Sequence, residues 1–414
     1  MALLRYGNQQ SLKLELAPGL LRAQCDAPRG EPVRDLGAAV DRALAEPLDF
    51  PSLAQAAMPL DKVVLALSPG VPQAATIIEC AICVLTGNGV AAHDITLVHT
   101  LASETAAREL LAGLPPDVRK AVHLVTHDPL NRDTLSYLAA ATDAKPIYVN
   151  RAIHDADFVI SIGELRPTDS PGYHGVNSCI FPTFSDEASQ GRYQSPRASQ
   201  HSRLARQAEE VAWLLGLSFT IQIVPGVDSE ILHVLAGDPR SVLQRGTRLC
   251  DEAWNFEVPQ RASLVVATIE GPADQTWDSV GRALAAAAWT VSAEGAVALC
   301  TELAERPGAG LQQVIGADNL DEVLDDLAQH PAADALVAAQ VVHALQRGRV
   351  YLISRLDDEL VEELGMSPLA VSRLSAVAAR YDSCIVLTNA HRATVHVRGD
   401  APARTATSSQ KSRS

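Results

Sequence analysis

The chain has 414 residues, 47% hydrophobic and 20% charged, and carries a formal net charge of −15. At roughly 100–200 residues per domain this is enough for two domains with sizeable cores. The acidic balance excludes non-specific nucleic-acid binding, which needs a basic surface.

No apolar run reaches the roughly 18 uncharged residues of a membrane span. No basic segment followed by an apolar stretch opens the sequence, so the expectation is a cytoplasmic protein with no membrane partner. Seven cysteines, scattered and odd in number, fit a reducing compartment rather than a disulfide framework.

In chain order, residues 12–16 (Leu-Lys-Leu-Glu-Leu) alternate as a half-buried edge strand does. Continuously apolar strands follow at 63–67, 95–98, 122–126, 158–162 and 219–224, then at 264–269, 296–299, 350–353 and 384–387. Helical periodicity fills the intervals at 73–85, 104–111, 203–215, 278–288, 320–327, 333–345 and 369–380. Buried strands alternating with helices predict an α/β protein whose mainly parallel sheets are flanked by helices. The break at Glu257-Val258-Pro259-Gln260-Arg261 divides it into an N-terminal α/β domain over 1–258 and a C-terminal α/β domain over 259–400, with a crevice between them. Residues 401–414 are polar and aperiodic and read as a disordered tail. The stretch 183–203 is also polar and aperiodic, as in a functional loop or lid. Cys80 and Cys83 form a C-x-x-C inside a helical apolar run and read as buried, inert thiols.

The Walker, dinucleotide-binding, nucleophile-elbow and zinc-peptidase motifs are all missing. One dense polar cluster remains, Glu164 to Ser178, leaving the C-terminal end of a buried strand, where open α/β sheets hold ligands. It offers Arg166 and Asp169 for an anionic ligand, Tyr173 and His174 on a turn between Gly172 and Gly175, and then Asn177 and Ser178. His174 is the candidate acid/base or metal ligand. The alternative is a surface loop whose polar groups satisfy their own backbone. His99 ends the strand at 95–98 and is a second catalytic candidate; His201 lies in the polar stretch and would reach over the site. His233, His330, His343, His391 and His396 sit in helical or edge-strand patterns and read as structural. Asp274 precedes a helix and reads as its cap. Arg282, further along that helix, is either a ligand-binding guanidinium or an exposed helical arginine.

The order of these segments resembles the lactate racemase family. Tyr6-Gly7, Ala43-Leu44-Ala45-Glu46-Pro47, Ala156-Asp157-Phe158-Val159-Ile160-Ser161-Ile162-Gly163, Gly172-Tyr173-His174-Gly175, Pro272-Ala273-Asp274-Gln275 and Ala293-Glu294-Gly295-Ala296-Val297 carry the resemblance. It implies a lactate-racemase-like fold and racemisation or epimerisation of 2-hydroxy acids. That chemistry uses a nickel-pincer cofactor tethered to a lysine, two acid/base histidines and a third histidine on the metal. This chain departs from the pattern at the lysine and at both acid/base histidines. Ser178 stands for the lysine, Asn177 for the arginine before it, and Ala102 and Thr168 for the two histidines. Ser68-Pro69-Gly70-Val71 replaces an acidic and basic pair, while Arg282 keeps a basic side chain where the family has lysine. No lysine occurs between Arg166 and Arg203, so the lysine-linked nickel-pincer cofactor is not expected. The expected function is an isomerase of altered chemistry on a hydroxy acid or sugar acid. The other reading is a non-catalytic relative that binds a small anion or a protein partner.

Overall fold

A computed structural model of the chain describes residues 2–101, 103–140, 145–195 and 198–399. The side chain of His201, the position of Ala102 and the tail beyond 400 lie outside the described residues.

Two six-stranded sheets organise the molecule. The first runs Ile231–Gly237, Phe219–Pro225, Phe158–Glu164, Val63–Leu67, Ile95–His99 and His123–Thr126 across its width. Every neighbouring pair is parallel except Phe219–Pro225 with Ile231–Gly237. The second runs Ser367–Pro368, Arg349–Ile353, Val291–Cys300, Ala262–Thr268, Cys384–Leu387 and Leu21–Cys25, parallel throughout. All five residues of Val63–Leu67 and all four of Cys384–Leu387 are buried, as sheets covered by helices on both faces require. The protein is thus α/β, with mainly parallel sheets flanked by helices.

The partition of the chain between the sheets is not a single cut near residue 258. Ala2–Tyr6 and Gln10–Leu14 form an antiparallel hairpin whose Leu4, Tyr6, Leu12 and Leu14 pack with Leu264, Val266, Ala298 and Val386 of the second sheet. Leu21–Cys25 then pairs with Cys384–Leu387. The chain crosses to the first sheet only after residue 25 and returns through Asn255–Val258, which pairs in parallel with Thr394–Val397. The physical reason is the apolar face of the second sheet's interior strands, which the alternating first residues cover.

The polar stretch expected as a loop is largely helical. Glu187–Tyr193 and Ala198–Leu214 are helices, the second buried through Leu204, Ala208 and Val211 at i, i+4 and i+7. Cys83 is exposed and Cys80 only half-buried, against the expectation of two buried thiols. Burial, with Asp41 beside it, still pushes the Cys80 thiol up to about 11, so it stays protonated at neutral pH. Among the described residues no helix is long and apolar enough to cross a membrane.

Candidate functional site

The central strand of the first sheet delivers the first site residues. Phe158–Glu164 is held between Phe219–Pro225 and Val63–Leu67, and the Leu165 N–H continues the ladder by donating to the Ile223 carbonyl at 2.9 Å. Leu165 is pinned by the helix Pro239–Trp254: a Cβ added at Gly246 would sit 2.1 Å from Leu165 Cδ1. Glu164 and Arg166 flank this anchored residue. From the second domain, Cys384–Leu387 leads into Asn389, a left-handed turn residue at φ 49°, which brings His391 and Arg392 back toward the first domain. The helix Trp277–Thr290 contributes Asp278 and Arg282, and Asp274 lies just ahead of it.

These seven side chains form one network across the domains. Arg392 donates from Nη1 to Glu164 Oε2 at 2.9 Å and from Nη2 to both Asp274 oxygens at 3.1 and 3.2 Å. Arg282 Nη2 lies 2.9 Å from Asp278 Oδ2, and Arg166 Nη2 approaches the same oxygen at 4.0 Å. His391 Nε2 is 3.4 Å from Asp274 Oδ2, yet neither ring nitrogen has a hydrogen-bond partner, so that contact is poorly aligned. Three guanidinium groups thus face three carboxylates contributed by both domains, with Asp278 and Arg166 at the solvent-exposed end.

Burial sets the charge states. It would lower the Arg392 guanidinium, but Glu164 and Asp274 overcome it and hold the group above its ordinary value. It would raise Asp274, but His391 and Arg392 pull that carboxyl down to about 2. Burial lowers His391 to about 4 against the attraction of Asp274, so the imidazole is neutral at neutral pH. Burial and the neighbouring Arg166 charge lower Arg282 to about 10 despite Asp278. The space left between Glu164, Arg166, Arg282, His391 and Arg392 is a cavity of ≈ 10 Å³, about one water.

Of the residues singled out in the sequence, Arg166 and Arg282 meet in this network. Asp169 stands near it, paired with His396 of the second domain at 3.3 Å. The second half of the loop is engaged elsewhere. His174 Nε2 lies 3.1 Å from the Ser170 carbonyl. Tyr173 packs edge-on against Tyr193 at 5.1 Å between centroids, and burial raises its hydroxyl well above the ordinary range. Ser178 Oγ donates to the Gly175 carbonyl at 2.6 Å, and the Asn177 carbonyl accepts from the Phe181 N–H at 2.9 Å. A Cβ at Gly172 would meet Leu336 of the second domain at 2.6 Å, and one at Gly175 would meet Leu243 at 3.9 Å. His99 is buried in a different cavity, beside Arg108, Arg119 and His123.

Three sequence expectations change here. His391 is not a structural histidine with satisfied nitrogens but a buried, unpartnered imidazole in the network. Asp274 is not the helix cap; Thr276 is, its side chain accepting from the Ser279 N–H. Arg282 is not an exposed helical arginine, because its side chain is 11% exposed. Glu164 already headed the polar cluster, while His391 and Arg392 had one usable signal, their place just beyond the C-terminal end of a buried parallel strand.

A two-domain α/β protein with charged side chains converging between its domains is the class that fold and site define. Residues 6–193 match the family model of the lactate racemase N-terminal domain. Its fold is similar to that of the lactate racemase apoprotein from Thermoanaerobacterium thermosaccharolyticum. The TM-score is 0.78 at 16% identity, over 95% of this chain and 99% of the other. A Thermotoga maritima protein is also similar, with a TM-score of 0.66 at 13% identity over 89% of this chain and 99% of that one. No curated protein matches the sequence.

The residues present do not fit a lysine-linked nickel pincer. Ser178, at the tether position, has its hydroxyl committed to the Gly175 carbonyl within a short 3-10 helix. Thr168, at one histidine position, gives its N–H and hydroxyl to the Asp251 carboxylate at 2.9 and 2.6 Å. Among the described residues no group of three or more His, Cys, Asp or Glu side chains is placed to hold a metal ion.

Proposed function

We propose that this chain is a carboxylate-binding member of the lactate racemase family that works without a lysine-tethered cofactor. Its ligand is a small hydroxy acid or sugar acid, held between the domains by Arg166 and Arg282. The observation that carries this reading is the convergence of both guanidinium groups on a single carboxylate oxygen, Asp278 Oδ2, at 4.0 and 2.9 Å. A ligand carboxylate offers the same acceptor geometry, which the planar guanidinium fork suits. The Asp278 side chain is 53% exposed and can turn to solvent when a ligand replaces it. The cavity admits about one water, so entry requires the domains to part at the Glu164–Arg392 ion pair.

Calorimetric titration with lactate tests this. Saturable binding is expected for the wild type, weakened about tenfold or more in Arg282→Met and in Arg166→Met, since each loses a charge-assisted contact. No saturable heat with the wild type, or wild-type affinity in both variants, overturns the assignment.

A second reading, cofactor-free isomerisation, is favoured by His391 alone. Its imidazole is neutral, unpartnered and beside the arginines, so it can take a proton from the ligand's Cα and return it. Deuterium appearing at Cα of lactate in D2O, lost in His391→Gln, supports turnover. Binding without such exchange leaves the protein a binder.

A further inference from the structure

The first sheet carries a second concavity at its outer edge, away from the inter-domain network. We propose that it binds a small phosphate-bearing molecule. Its volume is ≈ 760 Å³, within the range of small-molecule sites. His99, Arg108, Arg119, Lys120 and His123 line it, and no carboxylate occurs among its described lining residues. In a chain of net charge −15, a hollow with three permanent cations and two imidazoles runs against the overall electrostatics.

The geometry matches an anion with an organic body. Buried apolar side chains, Leu111 and Val122 among them, form part of the wall, while the cations stand around it. His99 and Thr126 are register neighbours at the C-terminal ends of two parallel strands, where open α/β sheets present ligands. The Leu101 N–H donates to His99 Nδ1 at 3.2 Å, which fixes the neutral tautomer with its hydrogen on Nε2. Burial favours that neutral form, so His99 offers a hydrogen-bond donor beside the guanidinium groups. Arg119 and Lys120 suit the charges of a phosphate or diphosphate, which a guanidinium group binds in bidentate fashion. A single hollow of this size favours a small molecule over a nucleic-acid strand, which would also meet the repulsion of the acidic chain.

The test is calorimetric titration of the full chain with inorganic pyrophosphate and, separately, inorganic phosphate. The expected result is saturable binding of one pyrophosphate per chain, at least about tenfold weaker in Arg119→Glu/Lys120→Glu and unchanged in Arg282→Met. Arg119 and Lys120 are exposed, so their variants are expected to keep the wild-type thermal midpoint, and Arg119→Ala/Lys120→Ala serves as the milder pair. Absence of saturable heat with both probes overturns the proposal, as does wild-type affinity in both Arg119/Lys120 double variants. Loss of pyrophosphate binding in Arg282→Met also overturns it, by placing the anion between the domains. Lactate binding in the same samples reports on the inter-domain site independently.

Discussion

Arg392 is 8% exposed in its side chain and satisfies Glu164 from one domain and Asp274 from the other. Truncating it leaves two largely buried carboxylates without their counter-charge, so Arg392→Ala is expected to lose about 3 kcal/mol in urea unfolding. A loss below about 1 kcal/mol would mean that water already screens the network. His391 makes a distinct prediction in pH. Its folded pKa of about 4 lies below the unfolded value of about 6.5. Above pH 6.5 neither state is protonated and His391 contributes no pH dependence. Between 6.5 and 4 only the unfolded chain takes up the proton, so stability falls by up to about 3 kcal/mol, then levels off. Urea midpoints at pH 7 and pH 4.5 should therefore differ more in the wild type than in His391→Gln. His174 belongs to the same scale with the opposite expectation. His174→Ala removes the contact with the Ser170 carbonyl, costs about 1 kcal/mol in urea unfolding and leaves calorimetric lactate affinity unchanged.

Among the elements, the helices Trp277–Thr290 and Ala335–Arg347 meet at Gly281, where an added Cβ would lie 2.2 Å from Gln340 Oε1 and 3.3 Å from Val337 Cα. Gly281→Val forces these helices apart and is expected to lower the thermal stability by about 1–3 kcal/mol. Because Arg282 is the next residue, lactate affinity should fall with it; an unchanged midpoint and affinity would show that the helix contact is slack. The elements legible in the sequence were those with one dominant pattern. Val63–Leu67 and Cys384–Leu387 were bounded to the residue because every side chain in them is buried and apolar. Leu21–Cys25 was missed because Arg22 and Gln24 interrupt its apolar residues along an exposed edge. The polar stretch before residue 203 hid two helices, because it offers few apolar residues to mark a helical period. The site was half legible for the same reason. Arg166 and Arg282 lay in recognisable motifs, whereas His391 and Arg392 became site residues only through a turn that folds them back between the domains.

For the whole molecule, the first strands belong energetically to the last ones. Leu14 is fully buried against the second sheet, some 250 residues away in sequence. Leu14→Ala is expected to cost about 2–5 kcal/mol. Hydrogen exchange should rise in Ala262–Thr268 and Cys384–Leu387 rather than in the first sheet, and a rise confined to Val63–Leu67 would contradict this partition. At this scale the proposed function requires a lactate-racemase-like fold whose inter-domain arginines bind a carboxylate without the lysine-tethered cofactor. The most direct measurement is made on protein produced together with the nickel-pincer biosynthetic enzymes. Intact mass and the chirality of added D-lactate are read from one sample. The account predicts the unmodified mass of the 44.0 kDa chain and no nickel-dependent formation of L-lactate. A covalent adduct between residues 166 and 203, accompanied by nickel-dependent racemisation, would contradict it.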